Sequence, residues 1–148
     1  MKLRSFVVPG DPVAQGRPRF SVRGGFARVY DPAKSRSYKA VARDCLIRAL
    51  AESGHGRIDD GPIGVSVEAY FERPKSKCSK IPRGLERQAS RPDAENVAKI
   101  ILDAANGIAW RDDAQVSKLT VSKFIVRQGD APRVVVRFMP IDVEVEGR

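Results

Sequence analysis

The chain has 148 residues, 42% of them hydrophobic and 30% charged, with a formal net charge of +9, two cysteines and one histidine. That length makes one domain able to bury a core without disulfides or structural metal, and the charge favours a polyanionic partner, nucleic acid first. No stretch approaches the roughly 18 apolar residues of a membrane helix, the apolar N-terminal segment is broken at Pro9-Gly10 before signal-peptide length, and Cys45 and Cys78 form no metal pattern, so a reduced cytoplasmic protein is expected.

Leu3–Val8 is rich in β-branched and aromatic residues and stops at Pro9-Gly10, which predicts a strand. Residues 9–25 then hold Gly10, Pro12, Gly16, Pro18, Gly24 and Gly25, a loop composition. Within them Arg17 and Arg19 flank a proline, either as a phosphate grip through bidentate guanidinium contacts or as a solvated basic loop. Phe26–Tyr30 alternates weakly and predicts a second short strand. Asp31-Pro32 is a helix start. Ala33–Glu52 follows, with Tyr38, Val41, Ala42, Cys45, Leu46, Ala49 and Leu50 in steps of three and four. That spacing predicts an amphipathic helix whose outer face carries Lys34, Arg36, Lys39, Arg43 and Arg48. Gly54-His55-Gly56 ends it, and the histidine has no sequence partner that would make it a base or a ligand.

Ile63–Phe71 alternates with period two, a half-buried strand. Residues 72–91 lack periodicity and carry Arg73, Lys75, Lys77, Lys80, Arg83, Arg87 and Arg91. A loop of about twenty residues in a compact domain is functional or disordered. This one is expected to be a flexible basic arm that orders on nucleic acid, or else a merely soluble insertion. Asp93–Asn106 predicts a second helix with Val97, Ala98, Ile100, Ile101, Ala104 and Ala105 on one apolar arc. Asn106-Gly107 stops it, and Arg111-Asp112-Asp113 reads as a turn. Val116–Val126 and Arg133–Met139 read as strands joined in a hairpin through Gln128–Pro132. The acidic tail from Ile141 is expected to fray.

The chemistry concentrates in Arg91–Lys99 and in Asp112-Asp113. A bland reading explains each residue alone. Asp93 caps a helix, Glu95 complements its dipole, Asn96 satisfies a free amide, and Glu95, Lys99 and Asp103 form an alternating i, i+4 charge ladder. On that reading the chain is a DNA-binding protein without catalysis. The functional reading needs the residues together. Mg²⁺ takes hard oxygen ligands, usually one or two carboxylates plus phosphate and waters, and in a phosphodiesterase it activates water. Lys99, one turn further along, can reach the phosphate. An RNA-binding protein would instead interleave aromatics with basic residues, a pattern not seen in the linear sequence, where aromatics make up 7%.

Arg91-Pro92-Asp93-Ala94-Glu95-Asn96-Val97-Ala98-Lys99, the Leu102–Gly107 run and Trp110–Val116 together resemble the RusA family of Holliday junction resolvases. The family pattern is D-x-D-N-x-x-K, then L-D-A-L, then a D-D-x-Q turn. Gly10-x-Pro12, Arg17–Phe20 and Tyr30-Asp31-Pro32 also fit. The resemblance implies a small homodimeric α/β (α+β) endonuclease, one domain over 1–148, with a mixed sheet of about four to five strands and two main helices. It implies Mg²⁺-dependent resolution of four-way DNA junctions by paired nicks. It assigns Asp93, Glu95 and Asp113 to the metal and Lys99 to the scissile phosphate, with Asn96 and Asp112 in support. Arg17, Arg19, Lys75, Lys77 and Lys80 are the expected DNA contacts. One departure stands out: the family's second carboxylate is usually Asp, and Glu95 extends its oxygens by about 1.5 Å. Either it slows turnover or shifts the metal preference towards Mn²⁺, or it is a tolerated variant, and activity is expected to be retained.

Overall fold

The computed structural model describes residues 3–17, 19–30 and 32–142. Pro18, Asp31, the side chain of Arg19 and residues 143–148 of the acidic tail lie outside them, and with them the readings made on those positions.

The chain forms an α+β domain. The strands are β1 (Arg4–Pro9), β2 (Arg19–Arg23), β3 (Phe26–Tyr30), β4 (Ile63–Phe71), β5 (Glu86–Arg87), β6 (Val116–Ile125) and β7 (Arg133–Pro140), with helices α1 (Ala33–Ser53) and α2 (Ala94–Ala105). β1, β7, β4, β6 and β5 make one mixed sheet in that order, and β2 with β3 make a separate hairpin. The alternation read in Ile63–Phe71 is exact: Ile63, Val65, Val67, Ala69 and Phe71 are buried and the residues between them are not. These side chains meet Phe6 and Val8 of β1, Val134, Val136 and Phe138 of β7, and the apolar sides of both helices in one core. Both helices therefore cover the same face, and among the described residues no helix covers the opposite face of the sheet.

Two expectations fail here. β6 and β7 do not pair as a hairpin. β4 lies between them, parallel to β6 and antiparallel to β7. The connection crosses the end of β4, where the Val126 N–H donates to the Phe71 carbonyl (3.0 Å). A strand apolar at every second position gains most from the central place, where both edges are paired. Arg19–Arg23, read as loop, is strand β2, because its register with β3 runs from Arg19–Tyr30 to Arg23–Phe26. The turn between them is Gly24-Gly25, both with positive φ (66° and 80°), which side-chain-bearing residues rarely adopt.

Residues 72–91 carry more internal order than their composition suggests. The Arg73 side chain is buried (3% exposed) and binds Glu86 Oε1 at 3.0 Å. Its guanidinium also donates to the carbonyls of Val126 (3.0 Å), Lys77 (3.2 Å) and Gly84 (2.7 Å). A 3₁₀ turn at Lys75–Lys77 and the short β5 complete the segment. The Gln128 side chain accepts from the Ser79 and Arg83 backbone N–H groups and donates to the Ser79 carbonyl. Arg73 belongs to this scaffold and not to the exposed basic surface.

Candidate active site

Helix α2 presents its charged side at the edge of the sheet. Val97, Ala98, Ile100, Ile101, Ala104 and Ala105 are buried, as their spacing predicts, which turns Glu95 and Lys99 outwards. The head of the helix is fixed from two sides. The Lys123 ammonium donates to the Ser90 and Pro92 carbonyls (2.8 and 2.7 Å). The Gln15 N–H donates to the Asn96 carbonyl (2.9 Å). Gly16 follows in close contact: a Cβ there would lie 2.9 Å from Pro32 Cγ.

The bland reading of these charges loses two of its supports and keeps a third, Glu95 in the first turn of α2 where it complements the helix dipole. Asp93 occupies the N-cap position with extended backbone, yet its side chain makes no capping hydrogen bond. Among the described residues no ion pair joins Glu95 to Lys99 or Lys99 to Asp103. Asp103 instead faces Lys39 of α1, with Nζ 3.6 Å from Oδ2. Lys39 is 8% exposed, not on the outer face of α1 where its sequence position suggested. A buried ammonium needs a partner, and a carboxylate from the next helix supplies one.

The turn after α2 folds back over the same edge. Trp110 is fully buried and packs edge-on against Phe138, with ring centroids 5.5 Å apart. Its indole N–H donates to Asp113 Oδ1 at 2.7 Å. The Asn106 side-chain oxygen accepts from the Asp113 N–H (3.1 Å). Asp113 is thus held from a core anchor and from the end of α2. Its neighbour has a different task. Asp112 accepts from the Ala114 N–H (2.8 Å) while Gln115 Oε1 accepts from the Asp112 N–H (3.0 Å), a reciprocal cap that closes the turn.

Glu95, Lys99, Asp103 and Asp113 line one open cleft of about 520 Å³, floored by Ala98, Leu102, Leu119 and Val121. Asp93 is not among its lining residues. Its exposed carboxylate stands at the N-cap, two residues before Glu95. Burial pushes the Asp113 carboxyl above its ordinary pKa; the Trp110 hydrogen bond opposes this, and the charges of Asp103 and Asp112 add to it. Asp103, Lys39 and Trp110 escaped the sequence reading as site residues. Asp103 and Trp110 left a signal, as members of the Leu102–Gly107 and Trp110–Val116 runs; Lys39 left none.

Carboxylate oxygens are the hard donors that Mg²⁺ and Mn²⁺ take. Glu95 and Asp113 place two such groups on one cleft, and the repulsion acting on Asp113 is what a cation relieves. Among the described residues no three His, Cys, Asp or Glu side chains close into a metal cage. The donor set fits a divalent cation shared with a phosphate, which needs only one or two carboxylates.

The expected DNA contacts divide by location. Arg17 lines a second, larger cleft of about 740 Å³ with Lys34, Arg91 and Pro92, beside the head of α2. Lys75, Lys77 and Lys80 are exposed on the 72–91 segment. No helix among the described residues is long and apolar enough to cross a membrane.

Comparison with known proteins adds two findings. The family model described as endodeoxyribonuclease RusA matches residues 9–139. The uncharacterized protein YqaN of Bacillus subtilis (strain 168) is 41% identical over 139 residues, covering 88% of this chain and 92% of its own length.

Proposed function

This chain belongs to the endodeoxyribonuclease RusA family, and from that premise we propose that it resolves four-way DNA junctions by divalent-metal-dependent phosphodiester hydrolysis. The observation that carries the reading is the shared cleft of Glu95, Lys99 and Asp113. These residues come from two separate segments, and among the described residues no ion pair uses up the charges of Glu95 and Lys99.

Glu95 and Asp113, with Asp93 at the helix head, would hold Mg²⁺ or Mn²⁺. Bound there, the cation supplies Lewis-acid activation of water and neutralises charge on the phosphate. The protein's own residues do the rest. Trp110 orients the Asp113 carboxylate and Asn106 holds the Asp113 backbone N–H, so little reorganisation is left for the reaction. Lys99 projects from the same wall as a mobile ammonium that draws the scissile phosphate in and offsets its charge. Asn96 holds the N-terminal loop through its carbonyl, and Asp112 shapes the turn that delivers Asp113. Arg17, Arg19, Lys75, Lys77 and Lys80 carry part of the backbone contacts. Paired nicks across a junction need paired sites, so the active species is a homodimer.

The test is cleavage of a synthetic four-way junction and of a linear duplex of the same sequence, each with Mg²⁺ and with Mn²⁺. Junction cleavage with either metal and little on the duplex is expected. Folded protein that binds junctions but cuts with neither metal would sink the enzyme reading and leave a DNA-binding protein without catalysis.

A further inference from the structure

The face of the sheet away from the helices carries a row of side chains that crosses four strands. Arg133 on β7 pairs in register with Tyr70 on β4, Tyr70 with Phe124 on β6, and Phe124 with Arg87 on β5. The Tyr70 and Phe124 rings stack with centroids 5.1 Å apart and an interplanar angle of 21°. The Arg133 guanidinium lies 4.2 Å from the Tyr70 centroid, and that of Arg87 lies 4.5 Å from Phe124. Each ring has one face against the other ring and one against a cation. The arginines are therefore held flat and preorganised; Arg133 Nη1 donates to the Ala131 carbonyl (3.2 Å), and the other N–H groups of the two guanidiniums can face a phosphate. Lys118 and Arg137 share this face; Glu68 lies among them and accepts from Tyr70 and Arg137, and Asp130 lines a pocket with Tyr70 and Arg133.

We propose that this open sheet face is a second DNA-backbone surface, on which Arg87 and Arg133 grip phosphates of a junction arm that leaves the cleft around the β5–β6 edge. The geometry supports that path. Leu119 and Val121 of β6 floor the cleft on one face of the sheet, while Lys118 and Phe124 of the same strand stand on the other. Charge decides between DNA and a second copy of this chain. Two such faces pressed together would bury Arg87, Lys118 and Arg133 of both copies in one interface, and like charges brought together repel. A polyanion has no such conflict. The exposed apolar residue Val7 sits at the far edge, on β1, away from the row.

The proposal rests on the junction-binding reading but is read out separately from cleavage. Binding of a fluorescent four-way junction is measured in metal-free buffer at several salt concentrations, with sedimentation in parallel. In Arg87→Gln/Arg133→Gln the slope of log affinity against log salt falls by about 1.8, since each lost phosphate contact removes about 0.9. The affinity deficit then narrows about tenfold between 50 and 200 mM salt. Arg87→Lys/Arg133→Lys keeps the slope, and cleavage at saturating junction stays at the wild-type rate. Thr120→Glu leaves the row intact and adds a charge to the exposed part of this face. It weakens binding at low salt, and Thr120→Gln does not, which keeps the test valid if the glutamine pair fails to fold. An unchanged slope in folded glutamine variants, or unchanged binding by Thr120→Glu, overturns the proposal. A fall from dimer to monomer in the glutamine pair overturns it too and assigns the face to contact between copies. Wild-type protein that binds no junction would remove the underlying reading itself.

Discussion

Residues 72–91 and 93–99 are adjacent, equally rich in charge, and opposite in how their charges are used. In the first, Arg73 directs its donors at three carbonyls and the Glu86 carboxylate, and that hydrogen bond holds the Glu86 carboxyl below the usual carboxylate range. In the second, Asp93 makes no capping hydrogen bond, and among the described residues no ion pair takes up Glu95 or Lys99. The contrast separates charge that builds the fold from charge left available to something outside it. Composition alone does not make that distinction, because both segments look like solvated polar chain.

If the contrast is right, substitutions in the two segments fail in different ways. The largest effects are expected at the carboxylates Asp93 and Asp113. Asp93→Asn lowers junction cleavage by about three orders of magnitude, on the order of 4 kcal/mol of transition-state stabilisation. It leaves the denaturant midpoint nearly unchanged, because no capping bond is lost. A comparable loss of stability with cleavage retained would return Asp93 to the role of a cap. Arg73→Ala is the mirror case. It orphans buried acceptors and costs about 3 kcal/mol in equilibrium unfolding, and metal-dependent turnover per folded molecule persists.

Smaller effects sharpen the same division. Neutralising Lys75, Lys77 and Lys80 together lowers the salt slope of junction binding by up to about 0.9 per phosphate contact without moving stability. An unchanged slope removes these lysines from the interface. Glu95→Asp, which withdraws one methylene, lowers the ratio of Mn²⁺- to Mg²⁺-supported cleavage by roughly threefold, half a logarithm in rate or under 1 kcal/mol. The smallest effect is on stability at Asp113. Its folded pKa is raised, so its contribution is fully present below the unfolded value and lost as pH rises through the folded one. Asp113→Asn therefore stabilises the fold at neutral pH, and the gain disappears as pH falls through the raised pKa, read by thermal unfolding at several pH values.

Local pattern was enough for much of this architecture. The period of two in Ile63–Phe71 and the apolar arc of α2 were legible because each is set within a few residues. The Gly54 stop of α1 is likewise local, with φ of 72° at the helix end. What escaped is non-local. β5 is two residues long and exists only through its pairing with Phe124 and Ile125. The place of β4 between β6 and β7 follows from core burial across the whole sheet. Lys39 is polar and sits among basic neighbours on α1, and its burial depends on a partner from the other helix, Asp103. At the site, Asp93, Glu95, Lys99 and Asp113 were legible as a motif. That Asp113 hangs from the Trp110 indole was not, because nothing in the Ile108–Trp110 run shows where the ring will point. The aromatic and arginine row on the open sheet face was hidden for the same reason, since its four members come from four strands.

The central claim is that the cleft holding Glu95, Lys99 and Asp113 is where DNA is cut. It is tested most directly by measuring cleavage and binding of one synthetic four-way junction by wild-type protein and by Asp113→Asn, side by side in Mg²⁺. The expected result is cleavage by the wild type and none by the variant, with junction affinity retained or increased as carboxylate repulsion of phosphate is relieved. A variant that cuts at the wild-type rate would contradict the account and place the reaction elsewhere on the molecule.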